Sequence, residues 1–214
     1  MPAPLIKICG LSTPETLDAA IAAQADYIGL VFFPKSPRNV AIGQAAALAA
    51  RAAGRTRIVG LFVDPDMALL HEVRATVPLD VIQLHGKEPP AFVQQVRAAT
   101  GCEAWKALGV RKRADMEAAR SYAGAADRIL YDAKPPEGAA LPGGTGLRID
   151  WDLMKGWKHP LPWMLAGGLD PLNVADAVHV TGAPAVDVSS GVESAPGVKD
   201  AGRIAAFVRA VRTI

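Results

Sequence analysis

The chain has 214 residues, half of them hydrophobic, and a formal net charge of +2. This length can bury one sizeable core, and no polar or repetitive stretch divides the chain, so we expect one domain over residues 1–214. Lysines and arginines are interleaved with acids, which does not favour a nucleic-acid partner. No apolar run approaches the roughly 18 residues of a membrane span, and the N-terminus lacks an export-signal pattern, so we expect a soluble, unexported protein.

The two cysteines, Cys9 and Cys102, are too few for the disulfide framework of a small secreted protein. They also lack the CxxC spacing of a metal or redox site. We therefore expect free thiols in a reducing cytoplasm.

Short β-branched runs alternate along the chain with Ala-rich stretches of helical periodicity. The runs predict buried strands at residues 5–9, 27–32, 57–63, 80–84, 103–108, 128–132, 162–166 and 185–189. The stretches predict helices at residues 14–24, 42–53, 66–76, 89–99, 112–123 and 172–180, a short one after Trp151, and a last one from Pro196 or Gly197 to Arg212. Capping residues Thr13 and Asp170 each stand directly before a proline, which is typical of a helix start.

Eight strand–helix units of roughly 25 residues predict a closed parallel (β/α)8 barrel, the TIM barrel fold. The alternative is an open doubly wound sheet. Neither GxGxxG nor GxxxxGK occurs in the chain, so no nucleotide-binding signature supports the open sheet. In a barrel, the chemistry is expected at the carboxyl ends of the strands and in the loops after them.

Cys9 and Asp132 end predicted strands one and six. A thiolate at the barrel mouth can take a proton, and a carboxyl group there can supply one, so the two residues are candidates for a general base and a general acid. Taken alone, Cys9 is as easily a buried core residue and Asp132 a cap or a loop ion pair.

Three further polar residues are candidates to bind a substrate. Arg38 follows two prolines in the loop after strand two, where a stiff loop can hold its guanidinium against a carboxylate. His85 and Asp187 end strands four and eight, although a hydrogen-bonded structural histidine is an equally open interpretation. The remaining histidines lack metal-ligand spacing, so we expect no metal.

Three glycine-bearing segments follow the last strands. Glycine lets backbone amides approach an anion, and barrels frequently hold phosphate in the loops after strands seven and eight. Each segment alone is more often a turn, but together they favour a phosphorylated small-molecule substrate. The candidates are Gly144 and Gly146, Gly167 and Gly168, and Ser189, Ser190 and Gly191.

Several segments, in the order in which they stand here, resemble phosphoribosylanthranilate isomerases. They are KICGL at residues 7–11, FPKSPR at 33–38, VGLF at 59–62, QLHG at 83–86, Asp132 with GGTG at 143–146, LAGGL at 165–169, and residues 187–200. The resemblance covers nearly the whole chain. Small departures are Ile149, where an aromatic residue is common, and Ala185, where glycine is common.

The resemblance implies a step of tryptophan biosynthesis, catalysed on a barrel without a cofactor. It implies Cys9 as general base, Asp132 as general acid, Arg38 on the anthranilate carboxylate, and phosphate held by the glycine-bearing loops. It leaves open whether the protein is a monomer or a homodimer.

Other functions remain open on the sequence. An epimerase of the same fold typically requires a metal, and the next synthase of the pathway requires a lysine acid, for which Lys106 is the obvious inward candidate. A barrel that binds without turnover is a third alternative, which the presence of Cys9 and Asp132 disfavours.

Overall fold

A computed structural model describes residues 3–136, 138–139, 141–144 and 146–214 of the chain. Eight parallel strands form a closed barrel in sequence order, which confirms the predicted fold. The strands are β1 (Leu5–Cys9), β2 (Tyr27–Phe32), β3 (Arg57–Phe62), β4 (Val81–Leu84), β5 (Glu103–Val110), β6 (Arg128–Ala133), β7 (Trp163–Leu165) and β8 (Ala185–Val188). The pairing of β1 with β8 closes the barrel, with Lys7 opposite Asp187.

Helices surround the barrel between successive strands. They are α1 (Pro14–Ala22), α2 (Ile42–Ala52), α3 (Met67–Thr76), α4 (Pro90–Thr100), α5 (Arg113–Met116), α6 (Val174–Thr181) and α7 (Ala201–Arg212). Thr13 caps α1 as predicted, since its hydroxyl accepts a hydrogen bond from the Thr16 amide at 3.3 Å. Apolar side chains of the helices and of the outer strand faces form the main core. Among the described residues, no helix is long and apolar enough to cross a membrane.

Four predicted helices differ from the structure. The sixth begins at Val174, with Asn173 and not Asp170 at its N-cap. The fifth shortens to the single turn of α5, followed by a 3-10 helix at Glu117–Tyr122, and the segment after Asp150 forms only the 3-10 turn Trp151–Met154. The last helix was predicted to begin too early. Residues Glu193–Ala195 and Val198–Lys199 form a small antiparallel hairpin, here β9 and β10, and α7 begins after it, where Asp200 caps the Arg203 amide at 2.8 Å.

Side chains alternate along each strand between the helices and the barrel interior. The lower part of the interior is filled by apolar residues, among them Trp105, Leu130 and Met164. Above them, Cys9 packs with Val31 and Leu61. The apolar lower layers make the barrel a packed core, and the polar residues collect at the carboxyl ends of the strands.

Candidate active site

A cavity opens at the carboxyl ends of the strands, as the barrel fold predicts. Of the acid, base, substrate-binding and phosphate-binding candidates named from the sequence, its walls include every one except Gly191: Cys9, Arg38, His85, Asp132, Gly144, Gly146, Gly167, Gly168, Asp187, Ser189 and Ser190. The apolar lining residues include Val31, Phe33, Leu61 and Val63, at and after the ends of β2 and β3, and Leu141 and Pro142 after β6. The cavity therefore combines an apolar wall with several polar groups, which is typical of a small-molecule site.

Cys9 ends β1 and is 4% exposed, at the wall of the cavity. Burial raises the pKa of its thiol, although the neighbouring Lys7 ammonium partly lowers it again. The residue that follows has to be glycine, because Gly10 has a φ of +81° and a Cβ there would lie 2.7 Å from Cδ of Arg38. Glycine at residue 10 thus lets the stem of Arg38 pack against the backbone that follows Cys9.

Asp132 is 6% exposed at the end of β6 and is held on both carboxylate oxygens. Oδ1 accepts a hydrogen bond from the Ala133 amide at 2.8 Å, and Oδ2 lies 3.2 Å from Nε2 of His85. Gly167 leaves room for it, since a Cβ there would lie 2.9 Å from Oδ1. A Cβ at Gly143 would lie 2.8 Å from Nε2 of His85, so this glycine packs close to His85 and Asp132. His85 is therefore a neighbour that orients Asp132.

Arg38 lies at the cavity wall, but its two-pronged edge is already occupied. Nε and Nη2 donate to the two carboxylate oxygens of Glu193 at 2.7 and 2.9 Å, and Nη2 also donates to the Gly144 carbonyl at 3.1 Å. Glu193 thus occupies the edge of the guanidinium that Nε and Nη2 form. Nη1 has no hydrogen-bond partner among the described residues.

Glu193 joins Arg38 to the loop after β8. Its Oε1 also accepts from Nζ of Lys199 at 2.6 Å, and that ammonium donates to the Ser189 carbonyl at 3.0 Å. The Ser189 hydroxyl donates to the carbonyl of Cys9 at 3.1 Å. Two cations thus surround one carboxylate, so this three-residue cluster carries one excess positive charge beside the loop.

One candidate from the glycine-bearing segments, Gly191, lies away from the cavity walls. Gly191 does not line the cavity, because it packs against the Leu169 carbonyl, which a Cβ would strike. Its glycine is needed for this close approach of two backbones. Thr145, between the candidates Gly144 and Gly146, lies outside the described residues.

Comparison with known proteins identifies the family. The family model of N-(5'phosphoribosyl)anthranilate (PRA) isomerase matches residues 6–210. An N-(5'-phosphoribosyl)anthranilate isomerase of Paramagnetospirillum magneticum is 55% identical, over 97% of this chain and 96% of that protein. One of Paracoccus denitrificans is 56% identical, over 95% and 94%. The chain belongs to the phosphoribosylanthranilate isomerase family.

Solved structures agree with this assignment. A phosphoribosylanthranilate isomerase of Thermotoga maritima superimposes with a TM-score of 0.88 at 34% identity, covering 99% of this chain and 100% of that one. A second isomerase structure, in complex with reduced 1-(o-carboxyphenylamino)-1-deoxyribulose 5-phosphate, gives a TM-score of 0.86 at 32% identity, with the same coverage. The resemblance drawn from the sequence motifs is confirmed.

Lys106, the lysine that a synthase would require, does not line the cavity of this isomerase. Its ammonium lies 3.1 Å from Oε2 of Glu88 and donates to the carbonyls of Gly86 and Ala107 at 2.8 Å each. Among the residues that the structure describes, no three metal-ligating side chains form a group that could hold a metal ion. Lys106 supports the loop after β4 and is not directed at a substrate.

Sequence reasoning missed three charged residues of the isomerase site: Lys7, Glu193 and Lys199. All three are buried. A signal existed for Lys7, since a charge inside a buried strand two residues before Cys9 points to the same side as Cys9. Glu193 and Lys199 stood inside a family motif, but their ion pair depends on the hairpin of β9 and β10.

The carboxylate of Glu193 predicts an acid-sensitive stability. Burial opposes its charge, but Arg38 and Lys199 lower its pKa to about 2. Because an unfolded glutamate has a pKa near 4.3, the stabilisation is complete above that value and is lost as the pH falls toward about 2. We expect this group to contribute roughly 3 kcal/mol to the free energy of unfolding at neutral pH.

The measurement is urea unfolding of the intact protein and of Glu193→Gln between about pH 7 and pH 3. The free-energy difference between them should be largest at pH 7 and should shrink as the pH falls. Glu117→Gln, on the exposed 3-10 helix, is the matched control and should show no such trend. A Glu193→Gln deficit that is independent of pH would contradict the prediction.

Proposed function

We propose that this chain converts N-(5'-phosphoribosyl)anthranilate to 1-(2-carboxyphenylamino)-1-deoxyribulose 5-phosphate, with Asp132 as the general acid and Cys9 as the general base. The observation that carries the proposal is that these two groups, from strands β1 and β6, line one cavity. A family member holds a reduced form of this product in its structure. A small phosphorylated substrate also fits the glycine-bearing loops at the cavity mouth.

The substrate has three parts, and the cavity offers a matching surface for each. The apolar wall around Phe33 and Leu61 suits the aromatic ring of anthranilate. Nη1 of Arg38 remains for its carboxylate, while Glu193 holds the other edge of the guanidinium. The loops at residues 166–168 and 189–190 suit the phosphate, for which Ser189 would use its backbone, since its hydroxyl donates to the carbonyl of Cys9.

The reaction is a sequence of proton transfers. Asp132 donates a proton to the furanose oxygen, the bond from C1 to that oxygen breaks, and the nitrogen lone pair forms a protonated imine. Cys9, as a thiolate, removes the proton on C2, and the electron pair moves through C1 to the imine nitrogen, which gives an enolamine. Loss of the enol proton and protonation of C1 yield the ketone and restore both groups. The imine nitrogen is the electron sink, so the scheme uses no cofactor.

Loss of anthranilate fluorescence tests the proposal when purified protein meets freshly generated substrate. We expect rapid loss with the intact chain and with Cys102→Ala, which removes the other free thiol. Cys9→Ala should be at least about 100-fold slower. Normal turnover by Cys9→Ala would exclude the base role, and no loss with the intact chain would exclude the substrate.

Removal of the Arg38 guanidinium should weaken binding of the carboxylate. A charge-assisted hydrogen bond contributes roughly 1.5–3 kcal/mol, so Arg38→Ala should raise KM by about 10–100-fold. The phosphoribosyl adduct of aniline lacks the carboxylate, so its KM should change much less. Arg51→Ala, on the exposed face of α2, is the control. Equal losses for both substrates would show that Arg38 acts only through the fold.

We also propose that the protein acts in a reducing compartment such as the cytoplasm. A thiolate base requires Cys9 to remain reduced, and both cysteines are free thiols.

A further inference from the structure

Lys7 lies beneath the floor of the cavity. It is 0% exposed, and its Nζ donates to Oδ1 of Asp187 at 2.8 Å. Asp187 lines the cavity, whereas Lys7 does not. The ammonium is therefore out of reach of a substrate but directly behind two groups that a substrate can touch.

A buried ion pair of this kind needs an explanation other than stability. Desolvation of both charges usually cancels their attraction, and an apolar pair of the same size is often equally stable. Elsewhere in the lower barrel, the interior positions carry such apolar residues, for example Val59 and Met164. The pair of Lys7 and Asp187 departs from this packing directly below Cys9.

The chain also makes room for Lys7 beside the sulfur. On β2, the register partner of Cys9 is Gly29. A Cβ at Gly29 would lie 3.0 Å from Sγ of Cys9 and 3.3 Å from Nζ of Lys7. The thiol and the ammonium thus border the same small space, which any side chain on Gly29 would fill.

The charged groups that face the sulfur come from three strands. They are Lys7 on β1, Asp187 on β8 and Lys199 on β10, while β2 contributes Gly29. The two ammonium groups favour a thiolate and the carboxylate opposes it. Of the two, Lys7 is the one that shares the space above Gly29 with the sulfur.

We infer that Lys7 is a positioning residue of this reaction, whose ammonium, held by Asp187, stabilises the negative charge of Cys9 when Cys9 acts as the base. The inference rests on the proposed base role of Cys9. When the thiolate takes the C2 proton it becomes a thiol, and Lys7 keeps its own proton throughout. Burial disfavours that proton, but Asp187 and Cys9 together raise the pKa of Lys7, so its charge persists.

Thiolate content can be measured without turnover. In a Cys102→Ala background, we would follow alkylation of Cys9 by iodoacetamide and its thiolate ultraviolet absorbance against pH. We expect Lys7→Met to slow alkylation at about pH 8 at least tenfold and to move the absorbance titration to higher pH. Asp187→Asn removes the negative charge that Lys7 pairs with and that opposes the Cys9 thiolate. This variant should therefore accelerate alkylation, which is the opposite of the effect expected for Lys7→Met.

Lys106→Met is the matched control, since it removes another buried strand lysine whose partner is Glu88. It should leave the reactivity of Cys9 unchanged. Unchanged alkylation and absorbance in Lys7→Met would overturn the inference while leaving the base role intact. If Lys7→Met does not fold, Asp187→Asn decides alone, and slower alkylation there would overturn the inference. Full turnover by Cys9→Ala would instead remove the base role, and the alkylation rates would still report the effect of Lys7.

Discussion

Replacement of Asp132 by asparagine is expected to lower kcat by about 10²–10⁴-fold with little change in KM, because the amide cannot supply a proton to the ring oxygen. Asparagine has nearly the shape of aspartate and can still accept the hydrogen bond from the Ala133 amide. The expected loss is therefore one of chemistry and not of folding. Steady-state kinetics by fluorescence, with kcat and KM separated, provide the measurement.

Two observations serve as controls for Asp132→Asn. The variant Asp66→Asn alters an exposed carboxylate that caps α3, and asparagine is an equally good cap, so its kcat should be normal. Urea unfolding should show that Asp132→Asn remains folded. A near-normal kcat in Asp132→Asn would remove Asp132 from the mechanism and leave His85, its neighbour at 3.2 Å, as the acid to test.

The second large effect is expected in the pH dependence of the rate at which iodoacetamide inactivates the enzyme. Burial, which Lys7 offsets only in part, raises the pKa of the Cys9 thiol above its ordinary value. Because iodoacetamide reacts with the thiolate, the inactivation rate should rise about tenfold per pH unit below that pKa, or roughly 100-fold between pH 7 and pH 9. Turnover does not isolate this titration, because it also requires Asp132 to carry its proton.

Cys9→Ser shows whether the inactivation occurs at Cys9. A serine hydroxyl does not ionise below pH 9, so iodoacetamide should leave the small residual activity of the variant unchanged over this range. Circular dichroism at both ends of the pH range would show that the fold is retained. An inactivation rate of the intact enzyme that is already independent of pH at pH 7 would contradict the raised pKa of Cys9.

Much of the fold could be predicted from local patterns. Each strand is a short buried run, and the predicted positions of β1 and β2 match the observed ones. The errors occur where a local signal has two outcomes. Pro196 and Gly197 can begin a helix or form a turn, and they form the turn between β9 and β10, with Gly197 at a φ of +81°. That choice depends on the buried partners of Glu193, which a local pattern does not contain.

The chemistry-bearing residues were also visible in the sequence, because a barrel places the ends of its strands around one cavity. Cys9, His85, Asp132 and Asp187 all end strands, and all line the cavity. Their position follows from strand and helix periodicity alone. What each of them touches does not follow from periodicity.

The sequence by itself determined the barrel, the family and the residues at the mouth of the cavity, since these depend on periodicity and on short motifs. Only the tertiary structure decided which charges pair. Lys7 bonds Asp187 across 180 residues of chain, and Arg38 bonds Glu193 across 155. Closure of the barrel brings β1 beside β8 and the loop after β2 against the hairpin that follows β8. Ion pairs formed by that closure leave no local signal, because neither partner's neighbours in the chain take part in the contact.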